Sequence, residues 1–216
     1  MEKQTNNEVE IRSLVGDLRI ESRDEGAASR TITGYAAKFD CMSAPIMGWF
    51  VESIARGAFE GCDMKDVIMC FNHRDDSILA RTTSGTLRLE VDEVGLRFSF
   101  EAPNTTIGND MLELVRRGDI SKCSFRFVVE QDKWVYADDS NGLKYDERTI
   151  LKFSRVADVS LVVFPAYPDT EASVRHLEER KAEWLRNNTP QLDPLPSPDP
   201  TSVSRTRLCE CLRLRR

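Results

Sequence analysis

Two short runs constrain this chain more than any others. In TLRLEVD, residues 86–92, Leu87, Leu89 and Val91 alternate with Arg88, Glu90 and Asp92. In GLRFSFEA, residues 95–102, Leu96, Phe98 and Phe100 alternate with Arg97, Ser99 and Glu101. A period of two places one set of side chains on a buried face and the other in solvent, which is the signature of half-buried strands. Asp92-Glu93-Val94-Gly95 supplies turn chemistry between them, so the pair is expected to form an antiparallel hairpin.

The rest of the chain reads the same way. TITGYAAKF, WFVESI and DVIMCF are strand candidates, as are CSFRFVVEQ, TILKFSRV and the almost wholly apolar DVSLVVF. LVGDLRIE is expected to hold one short strand. YADDSNGLKYDER has the composition of an exposed loop or hairpin tip. One helix is expected over Asn109–Arg117, where Met111, Leu114 and Val115 share a face and Gly118 can close the end. A second is expected from after Thr170 to about Arg186. The fold class is therefore mostly β with flanking helices (α+β).

Composition shifts after residue 188. Prolines at 190, 194, 196, 198 and 200 rule out a helix or central strand and predict an extended linker. The last fifteen residues carry five arginines against Glu210 alone. Expected boundaries are an N-terminal extension over 1–30, the folded domain over 31–188, the Pro-rich linker over 189–201 and a basic tail over 202–216. The net charge of −6 argues against a general nucleic-acid binder, which usually presents a basic stripe. No apolar run is long enough to span a bilayer, and the polar, acidic start MEKQTNNEVE is unlike a signal peptide, so synthesis in the cytoplasm and no membrane partner are expected. The six cysteines lack paired C-x-x-C spacing, so free thiols are expected and no metal or other cofactor.

With only His73 and His176 present, the search for a general base is short. His73 closes the strand candidate VIMCFNH and opens a polar loop, a place from which a scaffold can present a reactive group; a purely structural histidine fits that position as well. His176 stands among Arg175, Glu178, Glu179 and Arg180 and reads as a surface residue. A serine nucleophile needs a base within hydrogen-bond reach and a third group to orient that base. Ser53, Ser99, Ser121, Ser124, Ser154 and Ser160 all lie near strand ends, and residue reasoning leaves the choice among them open. Asp75-Asp76 and Asp138-Asp139 are acidic pairs in loop sequence, where solvated turns are the default.

Five blocks, in order, are similar to those of the tailed-phage prohead maturation serine proteases: GYAAKFD, SIARGAFEG, FNHRDDSILARTTSGTLRLEVDEVGL, LVRRGDISKCSFRF and ADVSLVVFPAYPDT. They fall between residues 31 and 175. The resemblance implies kinship with the herpesvirus assemblin proteases and hence a β-barrel flanked by helices. It implies that Ser124 is the nucleophile, His73 the base and Asp158 the acid that orients His73. Arg126, where relatives often carry glycine, shares a strand face with Ser124 and is expected to shape the substrate channel or contribute charge to the oxyanion site. The resemblance further implies a serine endopeptidase acting in the host cytoplasm, inside the phage prohead. Its substrates would be the scaffold segment of the major capsid protein and the protease itself, and a homodimer would be expected by analogy with assemblins. The rival reading is a noncatalytic capsid-assembly scaffold protein that retains the protease fold.

Overall fold

The computed structural model describes residues 9–15, 18–21, 29–137, 141–163 and Arg186. Its elements in chain order are β1 (Val9–Val15), β2 (Arg19–Ile20), β3 (Thr31–Lys38), β4 (Phe50–Ile54), β5 (Ile68–Phe71), β6 (Ile78–Arg81), β7 (Leu87–Val91), β8 (Gly95–Glu101), α1 (Thr106–Arg117), β9 (Lys122–Val135) and β10 (Asp146–Val162).

The hairpin forms as its alternation predicts. β7 and β8 pair antiparallel, with Leu87 opposite Phe100 and Leu89 opposite Phe98. Phe98 is fully buried and Phe100 nearly so, whereas Val91, at the strand end, is exposed. The turn is fastened by Asp92, whose Oδ1 accepts from the backbone N–H groups of Val94 and Gly95 at 2.8 and 3.0 Å. Gly95 is required there because a Cβ would stand 2.0 Å from the carbonyl oxygen of Ala37. These strands belong to a four-stranded sheet ordered β2-β3-β8-β7.

The second sheet is ordered β1-β9-β10-β5-β6, with β4 also on β10. β10 is its spine. Along one edge it pairs antiparallel with β9 over nearly its whole length; along the other it takes β4 in parallel at Asp146–Ile150 and β5 in parallel at Asp158–Leu161. TILKFSRV and DVSLVVF, expected as separate strands, are thus one. The register shifts between Val156 and Asp158, and this irregularity at Ala157 breaks the alternation without breaking the strand. The β-rich class holds. The closed barrel is not borne out: among the described residues the strands form two sheets, and no pairing joins the first and last strands of either into a ring.

α1 begins at the N-cap Thr105, whose hydroxyl accepts from Gly108 N at 3.2 Å, slightly before the expected start. It ends at Gly118, whose φ of 81° is the left-handed conformation a C-terminal cap demands. The second expected helix lies outside the described residues apart from Arg186, as do the linker and tail.

Phe125 and Phe127 of β9, Phe153 of β10 and Phe59 pack on the core face of the larger sheet, with ring centroids 4.6–5.9 Å apart. Near them, β1 contributes an element that its composition conceals. Strand structure begins at Val9, within the segment expected to be an N-terminal extension, because Glu10 and Arg12 are buried in an ion-pair cluster. Arg12 donates to Glu52 and Glu10, and Arg148 donates to Glu10, Glu52 and Asp132, at 2.6–3.0 Å. The cluster staples β1 to β4, β9 and β10. Among the described residues no buried side-chain nitrogen or oxygen lacks a partner.

Candidate active site

The register of three strands brings the expected residues together. In the β9–β10 ladder Ser124 stands opposite Ser160 and Arg126 opposite Asp158. In the β10–β5 ladder Ser160 stands opposite Cys70 and Asp158 opposite Ile68. Residues two apart on a strand share a face. Ser124, Arg126, Asp158, Ser160 and Cys70 therefore cluster on one face of the sheet, opposite the phenylalanine core.

His73 reaches that face from the end of β5. Asn72 and His73 have φ values of 51° and 58°, consecutive left-handed conformations that non-glycine residues seldom adopt. The turn is held against β10 by three bonds: Asn72 N to Leu161 O at 2.9 Å, His73 N to Ser160 Oγ at 3.2 Å, and Val163 N to Asn72 Oδ1 at 3.3 Å. Backbone in a disfavoured region persists only where its surroundings over-determine it, and such positions concentrate at functional sites.

The ring of His73 stands between the hydroxyl and the carboxylate. Its Nε2 is 2.7 Å from Ser124 Oγ and its Nδ1 is 2.7 Å from Asp158 Oδ1. With the proton on Nδ1 donated to Asp158, Nε2 is free to accept from Ser124, which is the arrangement a general base needs. The Ser124 hydroxyl has a second acceptor in the carbonyl oxygen of Arg12, at 2.9 Å. Ser124 and Asp158 have no exposed surface, while the His73 side chain keeps 12% of its own. Water is thus largely excluded, which strengthens the electrostatics within the site.

Several neighbours carry no distinguishing mark in the sequence. Ser160 donates to Asp158 Oδ1 at 3.0 Å; its signal is parity, since it lies two residues beyond Asp158 on one strand. Cys70 Sγ is 3.0 Å from Ser160 Oγ, and burial pushes its thiol up to about 11, so it is neutral near pH 7. Asp75, which reads as a solvated turn residue, accepts from Arg126 Nη2 at 2.8 Å while remaining 77% exposed. Arg126 also donates from Nε to Asp158 Oδ2. It lines a groove of about 360 Å³ together with Ile68, Asp66, Asp75, Arg81 and Arg155. Cys41, Cys62, Cys70 and Cys123 are free thiols. Among the described residues no three His, Cys, Asp or Glu side chains converge as a metal-ligand set. No helix among them is long and apolar enough to cross a membrane.

Neither a curated protein nor a solved structure matches the chain significantly. The model of one family does, that of the caudovirus prohead serine proteases, over residues 17–183. That match spans well over half of the 216 residues and takes in every strand from β2 to β10. The chain belongs to the caudovirus prohead serine protease family and is a serine peptidase, a hydrolase of peptide bonds.

Proposed function

We propose that this peptidase cleaves the scaffold segment of the phage major capsid protein, and its own chain, during prohead maturation, with Ser124, His73 and Asp158 as its catalytic set. The observation that carries the reading is the position of the His73 ring, 2.7 Å from the Ser124 hydroxyl on one side and 2.7 Å from the Asp158 carboxylate on the other.

Ser124 Oγ attacks the scissile carbonyl carbon as its proton passes to His73 Nε2. The imidazolium so formed is stabilised by Asp158 through Nδ1. When the tetrahedral intermediate collapses, the C–N bond breaks and His73 returns the proton to the leaving amine, leaving an acyl-enzyme on Ser124. Water, deprotonated by the same nitrogen, attacks the ester and frees the serine. The groove beside Arg126 is the candidate seat for the peptide flanking the scissile bond.

On this reading the enzyme works in the host cell, within the prohead. Residues 31–188 are the proposed protease domain, preceded by residues 1–30, with strands β1 and β2 of that segment completing the two sheets. Residues 189–201 tether the basic tail, 202–216, as a further cleavable segment, and a homodimer is the proposed assembly.

Co-expression of the full chain with a capsid protein carrying its scaffold segment, read by intact-mass spectrometry, tests the proposal. The expected result is a trimmed capsid protein with the parent chain and a full-length one with Ser124→Ala. Identical products with both would remove Ser124 from the mechanism, and an untrimmed capsid protein with both would favour a noncatalytic assembly module.

A further inference from the structure

Asp158 is gripped from two sides. Its Oδ1 receives His73 Nδ1 at 2.7 Å and the Ser160 hydroxyl at 3.0 Å. Its Oδ2 receives Nε of Arg126, the residue directly opposite in the β9–β10 ladder. The guanidinium is occupied by carboxylates at both ends, since Nη2 donates to Asp75. We propose that Arg126 is a positioning residue: it clamps the second oxygen of Asp158, so that the carboxylate stays ionised with its first oxygen aimed at His73.

This inference rests on the catalytic reading of Ser124, His73 and Asp158 and departs from the expectation that Arg126 shapes the substrate channel or charges the oxyanion site. A carboxylate with no exposed surface, deprived of a cation, tends to take up a proton. Protonated, it would present a donor to Nδ1 and push the imidazole toward the tautomer that cannot accept from Ser124. The guanidinium fork allows one side chain to hold Asp158 and reach Asp75 together, which an ammonium on a flexible stem does less well. The arm to Asp75 is screened, because that carboxylate is 77% exposed, so the buried arm dominates.

The groups facing Asp158 and His73 comprise Arg126 from β9, Ser160 from β10, Cys70 from β5 and Asp75 from the following turn. The Arg81–Asp66 pair and Arg155 stand farther out along the groove. Arg126 is the cation in direct contact with Asp158.

Because the chain has two histidines, His176→Gln leaves the His73 ring as the sole imidazole in the nitrogen NMR spectrum of the full chain. In that background, the parent ring is expected to carry its proton on Nδ1, Arg126→Gln to move that proton toward Nε2, and Arg126→Lys to return it most of the way. The second readout is labelling by a fluorophosphonate, in which the Ser124 Oγ–P bond forms, the P–F bond breaks and His73 takes the proton. The saturating rate should fall about tenfold in Arg126→Gln and about threefold in Arg126→Lys, with the half-saturating probe concentration unchanged.

An unmoved ring tautomer in the Gln variant, a Lys variant labelled as fast as the parent, or a loss confined to the half-saturating concentration would each overturn the clamp. Should the Gln variant fail to fold, the Lys variant alone decides through its rate. Persistent labelling of Ser124→Ala would defeat the catalytic reading instead, while the ring tautomer would still report on Arg126 by itself.

Discussion

Asp158→Asn will leave the fold standing and lower the rate of peptide cleavage about ten-thousand-fold. The substitution conserves shape and removes a buried charge. Arg126 makes its effect on chemistry severe. The guanidinium accepts nothing, so it selects the amide orientation whose oxygen faces Nε and whose NH₂ points at His73. An amide N–H aimed at Nδ1 turns that nitrogen into an acceptor and sends the ring proton to Nε2. The imidazole then donates to Ser124, 2.7 Å away, when it should accept. Arg126 keeps Asp75 as a partner, so little stability is lost. Thermal melts of parent and variant agreeing within a few degrees, beside cleavage rates differing by this factor, would separate mechanism from folding.

The second large effect falls on stability. Arg148→Met should destabilise the domain by about 3–5 kcal/mol, because it takes away the cation shared by Glu10, Glu52 and Asp132, whose side chains are 9%, 4% and 6% exposed. That is a large share of the roughly 5–15 kcal/mol typical of a folded domain and should be plain in a urea titration. The double variant Arg148→Met/Glu52→Leu should recover part of the loss, since removing Glu52 leaves Arg12, which otherwise holds both Glu52 and Glu10, to Glu10 alone.

The same cluster sets a pH dependence. Burial alone would raise Glu10, but the charges and hydrogen bonds of Arg148, and then of Arg12, hold it down at about 2 against an ordinary 4.5. A carboxyl lowered by folding adds stability above its unfolded value and loses it as pH falls toward its folded one. The parent should therefore lose stability between about pH 4.5 and pH 2 through this group. In Arg148→Met the larger of the two lowering influences on Glu10 is gone, so its carboxyl moves up and the variant should lose less stability than the parent over the same acidic range. Urea titrations of both proteins across that range measure the difference.

How far the sequence discloses this fold depends on the range of each interaction. The β7–β8 hairpin is legible because alternation and turn chemistry are local. Ser124 and Arg126 can be placed on one face because parity within a strand needs no partner. β1 is not legible: Glu10 and Arg12 look like surface residues, and only Glu52 and Arg148, 40 and more positions away, explain their burial. β10 reads as two strands divided at Ala157 because a bulge disrupts the pattern from which a strand is recognised. The contact between His73 and Ser124 spans 51 positions and depends on the registers of β5, β10 and β9 together, which no spacing in the sequence encodes. The ordered family blocks, and not periodicity, supply that pairing.

The most direct measurement of the central claim is fluorophosphonate labelling of proheads assembled by the co-expressed full chain, with the adduct located by peptide mass spectrometry. One adduct is predicted, on the peptide carrying Ser124, absent from Ser124→Ala and formed far more slowly in His73→Ala. An adduct on another serine, such as Ser160 on the same face of the sheet, or labelling of Ser124 that is indifferent to His73, would contradict it.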